Sequence, residues 1–212
     1  MVEIPLDSIL SPTPEGFRSG FVALVGRPNV GKSTLLNQLV GENVAITSPV
    51  AQTTRNRLRA ILTTECSQLV LVDTPGIHKP HHLLGERLVK TARNSIGEVD
   101  VVLALMDGSE PMGRGDQFVL DLLQSIRQPV VIGLNKQDLI AEEQREELIA
   151  SYSEALPEAP LLPFSALTGD GCSALVDALG ERLPEGPMLY PKDTVSDQPE
   201  NLLLGELIRE QV

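Results

Sequence analysis

Three short stretches of this chain have residue types and spacings suited to chemistry on phosphate, on a divalent metal and on a purine base. The first is Gly26-Arg-Pro-Asn-Val-Gly31-Lys32-Ser33, which fits the phosphate-loop pattern G-x-x-x-x-G-K-[ST]. In such a loop the glycines let the backbone curl around phosphate oxygens, and successive N–H groups point inward at the anion. Here those groups run from Gly26 through Asn29, Val30 and Gly31 into Ser33 and Thr34. Lys32 can reach the β- and γ-phosphates as a mobile point charge, and the Ser33 hydroxyl can ligate Mg²⁺. The second stretch is Asp73-Thr-Pro-Gly76, directly after the apolar run Leu69–Val72. An acid at such a strand end can hold the hydration shell of Mg²⁺, and the Gly76 N–H can face a γ-phosphate. Taken alone, this stretch reads as a turn, since Asp, Pro and Gly are turn residues. Downstream of a phosphate loop the functional reading prevails.

The third stretch, Asn135-Lys136-Gln-Asp138, bears on the base. A carboxylate at Asp138 can accept hydrogen bonds from the N1–H and N2–H₂ of guanine. Adenine has an acceptor at N1, so the same carboxylate would face a lone pair, and sites built on such pairing discriminate strongly. Asn135 can tie this loop to the phosphate loop, and the aliphatic stem of Lys136 can cover the base plane. Ser165-Ala166 would add a backbone N–H for guanine O6, although the pair alone is an ordinary turn. Thr53 and Thr54 lie in a long polar loop over 42–56. A hydroxyl there, by preference Thr54, could ligate Mg²⁺ only while a γ-phosphate is present, which makes the loop a switch. His78, His81 and His82 lack Cys or carboxylate partners at metal-binding spacing and read as loop residues.

These residues need a scaffold, and the apolar periodicity supplies one. Strands are expected near 21–25, 57–64, 67–72, 100–106, 129–134 and 160–164. Helices are expected from 34 to about 41 and over 85–97, 115–126, 141–155 and 171–182. Near-continuous Val/Ile/Leu strands alternating with helices predict an α/β fold of the P-loop type: a mainly parallel central sheet with helices on both faces. Ligands of such sheets sit at the carboxyl ends of the strands, and each polar motif above falls at one of those ends. Residues 1–17 read as a flexible lead-in and 18–183 as the catalytic domain. Residues 184–199, with Pro184, Pro187, Pro191 and Pro199, read as a linker, and 200–212 begins a further helical pattern.

The chain has 212 residues, 42% of them apolar and only 3% aromatic, so its core must be built from Leu, Val, Ile and Ala. A formal net charge of −12 gives it no broad basic footprint for nucleic acid. Nucleotide binding is unaffected, because a phosphate loop acts through local dipoles, one Lys and a metal. No apolar run approaches a membrane span, and the N-terminus lacks the pattern of a signal peptide, so a cytoplasmic location is expected. Cys66 and Cys172 fit no metal or redox spacing and read as reduced structural thiols.

Gly26–Ser33, Gln52-Thr-Thr-Arg55, Asp73–Gly76, Asn135–Asp138 and Ser165-Ala-Leu167 stand in the order of the five GTPase motifs. Over about residues 18–212 the set resembles the translation-factor-related group of bacterial GTPases, and within it the Era family. The nearer likeness rests on Gln52–Arg55, Asp73-Thr-Pro-Gly-Ile-His78 and the Pro-Glu-Gly of 184–186. The resemblance implies hydrolysis of GTP to GDP and phosphate with Mg²⁺, and catalytic roles for Lys32, Thr54, Gly76 and Asn29. It implies nucleotide contacts from Ser165, Ala166 and Leu167 beside those of Asn135, Lys136 and Asp138. Members of this family join the GTPase domain to a KH domain that binds the 3′ end of small-subunit ribosomal RNA. The implied partners are therefore the small ribosomal subunit and its rRNA, with peripheral membrane association a further implication. No G-x-x-G clamp follows residue 200, so 200–212 is expected to begin a KH-like domain whose remainder is absent, which sets rRNA binding by this chain in question.

Ile77 stands where many regulatory GTPases carry a water-orienting Gln. Similar GTPases with Asn at the position of Asn29 bind K⁺ beside the phosphates, so Asn29 is the candidate K⁺ ligand here. The readings that compete with a GTPase switch are a binding module with negligible hydrolysis, an ATPase, and another GTPase of the group acting in tRNA modification. The sequence does not fix an oligomeric state.

Overall fold

The computed structural model describes residues 13–45, 59–73 and 96–197. Strand β1 spans Arg18–Gly26 and helix α1 Lys32–Val40. Strands β2 (Arg59–Thr63) and β3 (Ser67–Asp73) follow, then β4 (Val101–Asp107) and α2 (Arg114–Leu123). The last elements are β5 (Val130–Asn135), α3 (Glu142–Ala155), β6 (Leu161–Pro163) and α4 (Cys172–Gly180). Most bounds lie within a residue or two of those read from periodicity; β1 is longer at its start. The helix expected over 85–97 lies almost wholly outside the described residues.

The sheet order is β2-β3-β1-β4-β5-β6. Every neighbouring pair is parallel except β2 with β3. Alternation along the central strands divides the core. Val22 and Leu24 face one side with Leu35 and Leu36 of α1 and Leu175 and Leu179 of α4. Ala23 and Val25 face the other, with Val119, Leu120 and Leu123 of α2 and Tyr152 of α3. Burial on both faces requires strands that are apolar at successive positions, and Val101–Met106 meets that requirement. Because β1, β3, β4, β5 and β6 run the same way, Gly26, Asp73, Asp107, Asn135 and the turn after Pro163 come to one edge of the sheet. The register pairs Asp107 with Asn135 across β4 and β5.

The stretch read as a linker is packed, as far as it is described. Ser19 N–H donates to Pro184 O at 3.1 Å, and Ser19 Oγ donates to Pro187 O at 2.6 Å. Gln68 is fully buried in an otherwise apolar stretch of β3. Its Oε1 accepts the N–H groups of Leu189 and Tyr190, and its Nε2 donates to Tyr190 O at 2.9 Å. Farther on, Ile61 N–H donates to Val195 O at 2.9 Å and Arg59 pairs with Asp197 at 3.1 Å, so this strap also lines the outer edge of β2. Pro and Gly content shows that a segment lacks regular structure. It does not show that the segment is unpacked, and one buried glutamine supplies partners that periodicity cannot reveal. Among the described residues no helix is long and apolar enough to cross a membrane.

Candidate functional site

The site begins where β1 ends. Gly26 closes the strand and Lys32 opens α1, so the residues between them form a turn that leads into a helix N-terminus, a ready place for an anion. Two of these residues have left-handed backbone: Asn29 at φ 64° and Gly31 at φ 98°. Asn tolerates that region better than most side chains. At Gly31 a second constraint applies, because a Cβ there would run into Asn135 Nδ2. Lys32 is 8% exposed and folds back over the loop, donating from Nζ to Arg27 O at 2.9 Å and Gly26 O at 3.2 Å. Burial pushes its ammonium below the usual lysine range, and the charge of nearby Asp73 works against that shift. The cation thus rests on loop carbonyls. An arriving phosphate would replace weak neutral acceptors with charged ones.

Asp73, at the end of β3, is 1% exposed. Ser33 sits half-buried in the first turn of α1. One hydroxyl and one carboxylate are hard oxygen donors of the kind Mg²⁺ takes. Among the described residues no group of three or more His, Cys, Asp or Glu gathers. Ser33 and Asp73 are donors suited to a metal held by few protein ligands and completed by water and substrate phosphate, as Mg²⁺ is. Thr53, Thr54, Gly76, Ile77, His78, His81 and His82 lie outside the described residues.

Asn135 is the hub of the base side. It is 2% exposed, donates from Nδ2 to Val30 O at 2.8 Å, and accepts the Ala166 N–H at Oδ1, also at 2.8 Å. One amide therefore joins the phosphate loop, the end of β5 and the turn after β6. The sequence reading offered a backbone N–H of Ser165-Ala166 to guanine O6. In this structure the Ser165 N–H donates to Asp170 O at 2.8 Å and the Ala166 N–H to Asn135. Asp138 is exposed on a short 3₁₀ turn over Gln137–Leu139, and Ser165 Oγ donates to its Oδ1 at 2.6 Å. Ser165 is 1% exposed, so it holds one carboxylate oxygen from behind. Lys136 has left-handed backbone at φ 67°, and its Nζ donates to Asp107 Oδ2 at 2.6 Å. Burial works to raise the Asp107 carboxyl, but hydrogen bonds from Lys136 and Ser109 outweigh it and hold the group below the usual carboxylate range. Leu167 is exposed beside this turn, and Thr34 lies half-buried in the first turn of α1.

Sequence reasoning missed Asp107 and the Ser165 hydroxyl. Asp107 could have been found by position, since it ends a buried parallel strand as Asp73 and Asn135 do. The Ser165–Asp138 bond has no signal in spacing, because 27 positions separate the two residues.

A family described as 50S ribosome-binding GTPase matches residues 21–136. GTPase Era of Synechocystis sp. is 63% identical over 202 residues, covering 94% of this chain. A crystal structure of Era in complex with MgGDPNP and nucleotides 1506–1542 of 16S ribosomal RNA superposes with a TM-score of 0.84 at 38% identity, covering 92% of this chain and 67% of that one. The chain belongs to the Era family of GTPases. An Era variant of Aquifex aeolicus bound to GDP·AlF₄⁻ has a TM-score of 0.83 at 37% identity, with the same coverage of 92% and 67%. The chain spans 64% of the length of the Synechocystis Era protein. One of these Era structures holds MgGDPNP and the other GDP·AlF₄⁻; in this chain the phosphate loop, Asp73 and Asn135–Asp138 share one sheet edge.

Proposed function

We propose that this chain is a guanine-nucleotide switch that hydrolyses GTP to GDP and phosphate. The observation that carries the reading is the double tie of Asn135, which binds the phosphate loop and the base-side turn into one site. In this reading Asp138, steadied by Ser165, accepts the two N–H groups of the guanine edge. The amides of Asn29 to Thr34 take the phosphates, and Lys32 leaves the carbonyls of Gly26 and Arg27 for the β- and γ-oxygens. Water attacks the γ-phosphate in line while Lys32 and the loop amides stabilise the developing charge. Ser33 and Asp73 would hold Mg²⁺, which would supply neutralisation of the phosphate charge. Thr54 and Gly76 are the proposed switch contacts, released when phosphate leaves.

The proposed setting is the cytoplasm. The RNA-bound Era structure supports a role in small ribosomal subunit assembly when residues 18–183 act joined to an RNA-binding domain beyond 184–199. Asn29, exposed and left-handed, is the proposed K⁺ ligand that offsets the absence of a water-orienting Gln at Ile77. The test is multiple-turnover phosphate release from GTP and from ATP with Mg²⁺, in K⁺ and in Na⁺. Turnover of GTP alone, faster in K⁺, is expected. No turnover would leave a binding module, and equal rates in the two salts would remove the role of Asn29.

A further inference from the structure

One side chain of the phosphate loop has no part in the reading above. Arg27 turns away from the loop and donates from Nε to Asp116 Oδ1 at 2.7 Å. Asp116 is fully buried, whereas the Arg27 side chain is 30% exposed. A buried carboxylate is costly unless it is both paired and hydrogen-bonded. Asp116 is both, because its Oδ2 accepts the Gly113 N–H at 3.0 Å and so caps the first turn of α2. That turn is also shaped for the arginine. A Cβ on Gly115 would meet Arg27 Cδ at 2.5 Å, so the arginine stem could not keep this path beside a larger residue. Behind the pair, the Tyr152 hydroxyl donates to Asp107 O at 3.4 Å, and Asp107 in turn holds Lys136. Burial, and then the Asp116 charge, push the Tyr152 phenol up, so it stays a donor across the neutral range. Arg27 is also the residue whose carbonyl oxygen receives Lys32 Nζ at 2.9 Å.

We propose that Arg27 and Asp116 form a positioning pair that fixes the first turn of the phosphate loop against α2, setting Lys32 and the loop amides in place before a nucleoside di- or triphosphate arrives. The proposal rests on the guanine-nucleotide reading of this site. Neither side chain need touch the substrate, since the pair acts through the backbone of Arg27. Its benefit is preorganisation: a loop already held in its binding shape loses less freedom on taking phosphate.

The test is the Kd for GDP carrying a methylanthraniloyl fluorophore, measured on the wild-type chain, Arg27→Gln, Arg27→Lys, Asp116→Asn and the Arg27→Gln/Asp116→Asn double variant. Melting of each nucleotide-free protein is followed by circular dichroism. Arg27→Gln is expected to weaken GDP binding about tenfold, the size of a lost charge-assisted bond. Arg27→Lys, which keeps the charge within reach of Asp116, is expected to restore most of the affinity. The double variant is expected to be no weaker than the worse single one, because both break the same pair. If Asp116→Asn does not fold, the contrast between Gln and Lys at Arg27 decides the matter. Wild-type affinity in Arg27→Gln, equal losses in the Gln and Lys variants, or additive losses in the double variant would each overturn the positioning role. A wild-type chain that binds no GDP would overturn the nucleotide reading as well. Binding by wild type with Arg27→Gln unaffected would overturn the pair alone.

Discussion

Replacing Asn135 with Ala should unfasten the site at its centre. The change removes the bond from Nδ2 to Val30 O and the bond from Ala166 N to Oδ1, both 2.8 Å. The groups left behind stay in the interior, since Val30 is 1% exposed and Ala166 2%. An unsatisfied buried polar group costs about 1–3 kcal/mol. Two of them, with partial relief from entering water, should cost the empty protein about 2–4 kcal/mol. A second effect falls on the ligand, because the phosphate loop and the base-side turn are then no longer held in register. Affinity for GDP should fall by about 10- to 100-fold, or about 1.4–2.8 kcal/mol. Asn135→Asp sharpens the test. It keeps an acceptor for the Ala166 N–H but presents a second acceptor, and a buried charge, to Val30 O. It should therefore be at least as damaging as Ala although it is nearly isosteric. Urea unfolding of the nucleotide-free protein gives the first quantity and calorimetric GDP titration the second. Unfolding free energy within about 0.5 kcal/mol of wild type, the range of ordinary surface changes, would show that Asn135 does not hold these elements together.

Asp107→Asn should lower stability at neutral pH by about 1 kcal/mol, the scale of a partly exposed ion pair. The folded carboxyl lies below its unfolded value of about 3.9, so its contribution is present above that value and lost as pH falls through the folded one. Urea midpoints of variant and wild type should accordingly differ at pH 7 and converge in strong acid. A gap that persists there would point to lost packing instead of lost charge. Gln68→Ala strands the N–H groups of Leu189 and Tyr190 and the Tyr190 carbonyl, and opens a cavity in β3. It should cost about 2–4 kcal/mol and raise protease cleavage within 184–197. Unchanged cleavage would show that the strap is held by other contacts.

The fold and much of the site were legible because they rest on local patterns. Two-sided burial makes strands such as Val101–Met106 apolar throughout, and a phosphate loop requires its glycines and lysine within eight positions. The rest depends on pairs far apart in the chain. Ser165 meets Asp138, Arg27 meets Asp116, and Gln68 meets Tyr190 only after the sheet has formed. The strap over 184–197 shows the same limit, since composition predicts irregular backbone, whereas Ser19, Gln68 and the edge of β2 hold it in place. Ala166 is a further instance within the site. The sequence offers a backbone N–H of Ser165-Ala166 to the base, and the bond from Ala166 N–H to Asn135 Oδ1 has no signal in spacing.

Specificity for guanine requires that Asp138 face the edge of the base. A carboxylate matches the two N–H donors of guanine, whereas an amide at that position offers one donor and one acceptor, the complement of xanthine. Isothermal titration of the wild-type chain and Asp138→Asn with GDP, ADP and xanthosine diphosphate measures this directly. Wild type should bind GDP and not ADP, and Asp138→Asn should lose GDP and gain the xanthine nucleotide. Equal binding of GDP and ADP by wild type, or an Asp138→Asn variant with unchanged preference for GDP, would contradict the assignment of this sheet edge as a guanine-nucleotide site.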